Sequence, residues 1–552
     1  MRKTVFIFLF NILPFTLSAL TGWTDPLPLT NVSGGLQDFS FSVSADRGTG
    51  YFAYACSGGS ANNGVYFKNS CENSLTWSFS AFLSAEGNDA VSPSVSGLNG
   101  FIYNAWLDNN SGIYRVFFKR GLNGENQELS GGGNCSSVNI FSGSSGEAHV
   151  VWTEGGSICY RKGFNSGSNW SAVKTLSTGI SENPFAFETG GSVFVFWQAG
   201  GIAKYSKSSD GGLNWSGESS FSSTGIAALS GSAAIPGTIY AVWEQSNKIY
   251  FRKYSGSAWE LEKTVSGNTT GTAKYPAVTA DAGGVIYVVW SDNRTGLNKI
   301  YISESRDSGV TFSAETLLGP LALPGKILLA SFKDNLHLLY PEAGQVLYRI
   351  KDTCAPSKVV VKAPAYQPCP GGSSNNCPEF TFEASDNEGG TGVKGFSYLL
   401  DKNPSTVPVE IINCSSPALA FTKIENGNWY LHVKAADALG NWGVVSHFNM
   451  VINNISLLPE SEVWLAPNPV RTGQNPVLRI FIPEPANLEL TVFNEAGEIL
   501  TTVQRNLPSG ISEIKEPDTS SWANGVYFYR LKVKSAGTGT AAKLLKKLLL
   551  LR

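Results

Sequence analysis

Methionine is nearly absent, with two in 552 residues, and histidine is scarce, with only His149, His337, His432 and His447. The histidines lie singly on apolar segments, and none of the eight cysteines stands in CxxC spacing. Both absences argue against a structural zinc site. No loop carries the ligand spacing of an EF-hand. The first two-thirds of the chain lacks any basic cluster and the net charge is −2, which argues against a nucleic-acid backbone as partner. Long helical periods are missing until the C-terminus. The apolar runs are instead short and β-branched or alternating, as in TIYAVW (238–243) and VIYVVW (285–290). An all-β chain is predicted, and its length calls for several domains.

No transmembrane span is predicted. The N-terminus has Arg2 and Lys3, then an apolar stretch from Val5 to Leu17, then the small residues Ser18 and Ala19. This order reads as a cleaved secretory signal over 1–19, the alternative being an N-terminal anchor. No cysteine follows that would carry a lipid. The protein is therefore expected outside the cytoplasm, secreted or at the cell surface. Cys56, Cys71, Cys135 and Cys159 fall in the first part of the chain, and Cys354, Cys369, Cys377 and Cys414 downstream. They read as disulfides or buried thiols of undetermined pairing. Cys369 and Cys377 flank a short GGSSNN loop that a disulfide could staple.

What is present in quantity is glycine (59), aromatic residues (12%) and a repeat. Trp106, Trp152, Trp197, Trp243 and Trp290 close successive β-rich runs, with Cys56 and Tyr340 in the flanking copies. Tyr66, Tyr114, Tyr160, Tyr205, Tyr250, Tyr301 and Tyr348 follow at a period of 45–51 residues. A unit of that size holds four short strands and must stack on its neighbours. The last copy, Leu336 to Ile350, has no fourth strand of its own, whereas Trp23-Thr-Asp-Pro-Leu-Pro-Leu resembles the fourth strands elsewhere. A seven-bladed β-propeller closed by an N-terminal strand is expected, with six blades as the alternative.

The turn before the fourth strand carries a resemblance. Ser208-Ser-Asp210-Gly-Gly212-Leu-Asn-Trp215 and Ser305-Arg-Asp307-Ser-Gly309-Val-Thr-Phe312 are similar to the Asp-box (BNR repeat) of sialidase-like propellers, Ser-x-Asp-x-Gly-x-Thr-Trp. Asn165 to Trp170 and Ser70 to Trp77 are decayed copies. The resemblance implies a structural role for these turns, on the rim away from the active face. Sialidases of this kind bind a carboxylate with three arginines, the first in a Phe/Tyr-Arg-Ile-Pro strand. Here no Arg-Ile-Pro occurs, and Arg115, Arg161, Arg252 and Arg349 follow the repeat tyrosines instead. Only Arg294 falls in a loop between second and third strands, on the expected active face.

Just beyond the repeat tryptophans or their equivalent stand Asp108, Glu154, Asp292 and Glu342, with Glu244 one place earlier. On one face of a propeller these carboxylates would form a partial ring, and with Arg294 they are the candidate ligand-binding residues. They could hold sugar hydroxyls or act as an acid–base pair. Equally, each could satisfy the donors of its own turn, which their repetition favours.

Downstream, residues 353–456 resemble bacterial immunoglobulin-like or fibronectin type III-like modules, ending on Ala436-Asp-Ala-Leu-Gly-Asn-Trp-Gly. Residues 457–552 are similar to the C-terminal sorting domains of type IX secretion and to the immunoglobulin-like domain of flagellar hook-capping proteins. That likeness rests on Ala466-Pro-Asn468-Pro469, Asn494-Glu-Ala-Gly497 and Gly525-Val-Tyr-Phe-Tyr-Arg530. The end, Lys543 to Arg552, is too charged to span a membrane and reads as a final strand or a receptor-read signal. The whole predicts a propeller over 20–352 and two β-sandwiches. Its expected partners are an extracellular glycan or protein and, through the C-terminus, a secretion machinery, with no cofactor and no metal. The alternative is an extracellular glycoside hydrolase working with the carboxylates of the ring.

Overall fold

A strand that is apolar at nearly every position is built to be covered on both faces. The second strand of each repeat has that character. These strands are Gly50–Cys56, Phe101–Asp108, Ala148–Glu154, Ser192–Ala199, Thr238–Gln245, Ile286–Asp292 and Asn335–Glu342. The computed structural model describes the chain except residues 1–21, 31–34, 45, 58–62, 71–74, 86–88, 110–111, 268–269, 321–324, 364–375, 453–456, 516–517, 537–540 and 552. The expected signal segment, Cys369 and residues 71–74 of the decayed Asp-box from Ser70 to Trp77 lie outside the described residues. Among those described, each second strand sits inside its own antiparallel sheet of four or five strands, seven sheets in all.

The first strands of these sheets touch one another in chain order, from Leu36–Val43 through Ala90–Leu98, Cys135–Ser142, Ser181–Thr189, Ile226–Ser232 and Ala273–Ala280 to Leu328–Phe332. The last of them touches the first again. The sheets are thus the blades of a closed β-propeller. Its last blade takes its outermost strand from the N-terminus, with Leu27 opposite Tyr348 and Trp23 bridged to Lys351. The closure leaves neither end of the ring with an open edge.

Two kinds of contact hold the blades together. Trp106, Trp152, Trp197, Trp243 and Trp290 are each fully buried between sheets. In four blades the aromatic residue that closes the fourth-strand turn meets a third-strand ring of the preceding blade edge-on. Trp77 meets Tyr348 (5.3 Å, 74°), Trp170 meets Phe118 (4.9 Å, 76°), Trp215 meets Tyr160 (4.7 Å, 70°) and Phe312 meets Phe251 (5.1 Å, 71°). Such edge-on pairs add about 0.5–1.5 kcal/mol each beyond the area they bury. A cation on the third strand then reaches a carbonyl of the preceding blade. Lys68 donates to Leu29 O, Arg161 to Leu129 O, Arg252 to Phe221 O and Arg349 to Leu318 O. Arg161, Arg252 and Arg349, which follow repeat tyrosines, therefore act as staples between blades, while Arg115 pairs with Glu128 of its own blade.

Past the propeller, two three-stranded sheets close over Phe380, Phe382, Leu431, Val433 and Met450. A three-stranded and a four-stranded sheet then close over Leu478, Ile480, Leu490, Leu531 and Val533. Both pairs are β-sandwiches. The Leu-rich C-terminus forms a strand, Ala541–Leu550, although its composition favours helix. Its pairing with Gly525–Ser535 and the burial of Leu548 and Leu550 override local propensity. No helix of the described residues is long and apolar enough to cross a membrane.

Candidate functional site

The loops joining second to third strands share one end of the propeller with the loops that enter each first strand. The pairing of Ala90 with Asp108, Cys135 with Glu154, Ser181 with Ala199 and Ala273 with Asp292 places both there. The carboxylates expected from the sequence stand on this end, and Asp108, Glu154 and Asp292 are each occupied within the chain. Trp106 Nε1 donates to Asp108 Oδ2 at 3.3 Å and Trp152 Nε1 to Glu154 Oε2 at 2.9 Å. In the fifth blade Gln245 takes the same place, 3.2 Å from Trp243 Nε1. Each acceptor lies two residues after its tryptophan, on the same side of the strand. Where that position holds Ala199, the indole N–H of Trp197 finds no acceptor among the described residues. In the second and third blades the acid is thus the local partner of a buried indole, whereas Trp290 Nε1, two residues before Asp292, has no acceptor among the described residues.

Glu154 also accepts the N–H groups of Gly131 and Gly133, at 3.1 and 2.6 Å. Against the opposing effect of burial, the bonds from Trp152 and this glycine loop hold its carboxyl below the usual range. Asp292 is fully buried and receives Arg294 twice, from its backbone N–H at 2.8 Å and from Nη2 at 2.6 Å. The other arm of Arg294 is taken by Glu315, and the guanidinium lies over the Tyr301 ring, 4.5 Å from its centroid. Partial burial opposes the charge, but the Asp292 and Glu315 carboxylates hold this guanidinium above its ordinary range. Glu342 stands half-buried at the equivalent end of the seventh blade's second strand. Glu244 is pushed up by burial, with Lys274 opposing.

Sequence reasoning missed the first-strand bulges on this same end. The register slips at Val91/Ser94, Glu182/Phe185, Ala227/Ser230 and Lys274/Ala277. At these four places Ser92, Asn183, Ala228 and Tyr275 adopt left-handed backbone, at φ 48°, 53°, 46° and 52°. Non-glycine residues rarely take that conformation, which costs on the order of 1–3 kcal/mol each and concentrates at functional sites. Three of the four precede a proline, Pro93, Pro184 and Pro276. Two residues before the proline, where the sialidase resemblance would place an arginine, stand Val91, Glu182 and Lys274. A signal existed in the sequence: an X-Pro pair at the head of a strand marks an edge strand or a bulge.

The bulge of the fourth blade opens onto a cleft of about 650 Å³, lined by Thr178, Ile180, Glu182, Gln198 and Lys204. Its size is that of a small-molecule site. Asn183 Nδ2 lies 3.4 Å from Gln198 Oε1. Ile180 is 86% exposed, so the wall of the cleft carries an apolar side chain in water beside an amide, a carboxylate and a lysine.

The Asp-box turns lie at the opposite end. Ser208 Oγ donates to Asp210 Oδ1 at 2.7 Å and accepts from Gly212 N at 2.8 Å, and Asn214 N donates to Asp210 at 2.8 Å. Ser305, Asp307, Gly309 and Thr311 repeat this network. Hydrogen bonds from Asn214 in one turn and Thr311 in the other hold the two carboxyls far below the usual range.

A further group of acids stands where the propeller meets the next sandwich. Carboxylate oxygens of Asp352, Asp386 and Asp437 lie within 4.8 Å of one another. Asp352 also accepts Thr391 N at 2.8 Å, and Asn441 Nδ2 donates to its carbonyl at 3.2 Å, tying the end of the propeller to the sandwich. Burial, then the neighbouring Asp352, pushes Asp386 up to about 6.

No family model matches the chain, and no curated protein matches it. Among solved structures it is similar to the Hadza microbial sialidase Hz136, at 13% identity over 57% of this chain and 65% of that one, TM-score 0.37. It is also similar to Trypanosoma rangeli sialidase, at 11% identity over 95% and 94%, TM-score 0.36. A third likeness is to the Aleuria aurantia lectin, at 14% identity over 48% and 90%, TM-score 0.32.

Proposed function

We propose that the chain is a secreted or cell-surface recognition protein whose propeller takes a glycan, without cleaving it, at the end where the first-strand bulges stand. The carrying observation is the division of labour on that end. The ring acids Asp108, Glu154 and Asp292 serve buried indoles, loop amides and Arg294. The cleft of the fourth blade meanwhile offers Glu182 and the largely buried amide of Gln198 beside an exposed aliphatic side chain, with Lys204 tied to Glu218 at 2.8 Å. Amide and carboxylate groups on rigid strands suit sugar hydroxyls, and an apolar wall suits the ring faces. Arg294, with both arms held by Asp292 and Glu315, is not free to receive a substrate carboxylate.

In this reading residues 1–19 are a cleaved signal, 20–352 the propeller, 353–456 an immunoglobulin-like spacer and 457–552 a sorting-type module that engages a secretion machinery. The second reading, a glycoside hydrolase, draws on Glu244, whose raised carboxyl has the character of a general acid.

The test is a glycan array probed with the full-length protein, each bound glycan recovered and weighed by mass spectrometry. The proposal expects binding that is lost in Gln198→Ala and glycans of unchanged mass. Shortened glycans favour the hydrolase, and a blank array overturns the glycan assignment.

A further inference from the structure

The last sheet turns one face away from the core of its own sandwich. Its strands run in the order Ile499–Leu507, Ala486–Phe493, Gly525–Ser535, Ala541–Leu550. Leu488, Leu490, Leu531, Val533 and Leu548 point into the core, so the alternate residues project from the other side. The pairing sets these in rows. Gln504, Glu489, Lys532 and Lys543 form one row; Asn506, Asn487 and Lys534 the next; Thr502, Thr491, Arg530 and Leu545 a third. Lys547 stands beside Phe528 one row further on. Read down the strands, the face has an amide-and-hydroxyl half and a cationic half.

The cationic half holds Arg530, Lys532, Lys534, Lys543 and Lys547 against one carboxylate, Glu489, which is 2.8 Å from Lys532 Nζ. The whole chain has a net charge of −2, so this concentration is local. A cleft of about 600 Å³ lies between the two halves, reached by Asn487, Gln504, Asn506, Lys534 and Lys543. Beside it, Arg530 Nε is buried without an acceptor among the described residues.

We propose that this face binds an anionic polysaccharide, with lysines meeting its carboxylate or sulfate groups and the Asn487, Gln504 and Asn506 amides meeting its hydroxyls. The groove is concave, so a planar layer of lipid headgroups reaches its rim and not its floor, whereas an extended chain lies along it. The aromatic rings here are covered by cations, Phe493 by Arg530 at 4.9 Å and Phe528 by Lys547 at 5.9 Å. They offer no bare platform for stacking bases of a single-stranded nucleic acid. The site is independent of the propeller cleft.

The experiment is affinity electrophoresis of the full-length protein through gels containing polygalacturonate, dextran sulfate or neutral dextran, at low and moderate salt. The expected result is retardation by both acidic polymers and not by dextran, weakened roughly tenfold in Lys534→Gln/Lys543→Gln with a shallower salt dependence. Asn487→Ala/Asn506→Ala is expected to weaken polygalacturonate binding roughly threefold and leave the salt dependence unchanged. Gln198→Ala, in the propeller cleft, keeps full retardation, which separates this site from that one. Thermal unfolding midpoints establish that the variants are folded, and those of the Asn487/Asn506 and Lys534/Lys543 variants should be unchanged, since these four side chains are exposed. The proposal is overturned by absence of retardation, or by equal retardation of wild type and Lys534→Gln/Lys543→Gln. It is equally overturned if phosphatidylglycerol vesicles or oligo-dT capture the protein while the acidic polysaccharides do not.

Discussion

Arg294 Nη2 lies 2.6 Å from Asp292 Oδ2, and the Asp292 side chain is wholly out of solvent. A buried carboxylate needs a partner, and this one takes both the backbone N–H and the guanidinium of Arg294. Removing the partner leaves the charge stranded. Arg294→Ala is expected to destabilise the protein by roughly 3 kcal/mol in urea unfolding. Glycan affinity in the folded fraction should hold within a factor of about two. Lost affinity with unchanged stability would mean that the guanidinium is free to serve a ligand.

The Asp-box turns act at the seams between blades. Gly212 has φ +92°, and a Cβ added there overlaps the Tyr160 hydroxyl of the preceding blade. Gly212→Ala is expected to cost about 2–3 kcal/mol from backbone strain and overlap together. Trp215→Ala should cost about 3 kcal/mol by opening the contact with Tyr160. Equilibrium unfolding measures both, and neither should change what the opposite end binds.

The repeat was legible because five of the seven blades bury a tryptophan at the same place, and burial of that size is hard to satisfy any other way. Trp106 to Trp290 therefore announced the second strands, and Trp23 announced the closing strand. The carboxylates after them were legible as a set, but their partners were not. An indole two residues earlier is visible in the sequence only once the strand is known to continue past the tryptophan. The bulges at Ser92, Asn183, Ala228 and Tyr275 are backbone features, invisible to composition beyond the prolines that follow three of them. The basic face at the C-terminus depends on the register of four strands drawn from 486–550, so no local window shows it.

His149 and His337 stand in the same place in two blades, with Nδ1 2.7 and 2.8 Å from the Tyr160 and Tyr348 hydroxyls. Burial, joined at His149 by nearby Lys162, pulls both down to about 3. The folded protein keeps them neutral while the unfolded chain protonates them below its ordinary value near 6.5. Their contribution is therefore zero above that pH and grows unfavourable as pH falls toward 3, by up to about 1.4 kcal/mol per pH unit for each. The stability difference between wild type and His149→Gln, followed by urea unfolding from pH 7 to pH 4, should narrow as pH falls. A constant difference would contradict the burial of a neutral imidazole.

Cys135 and Cys159 are buried thiols in the core between the second and third blades. Burial, then Glu154, pushes them up to about 12 and about 11. Thiolate is the reactive form, so both should resist iodoacetamide at pH 8 in the folded protein and react on unfolding in urea. Peptide mass spectrometry reads the two states directly, and rapid native labelling at either site would contradict the packing.

The most direct test of the central claim is calorimetric titration of the full-length protein with the glycan that the array selects, alongside Gln198→Ala and Glu182→Ala. The account predicts at least a roughly tenfold loss of affinity in both variants, with the glycan recovered intact. Equal affinity in wild type and both variants, or a shortened glycan, would contradict it.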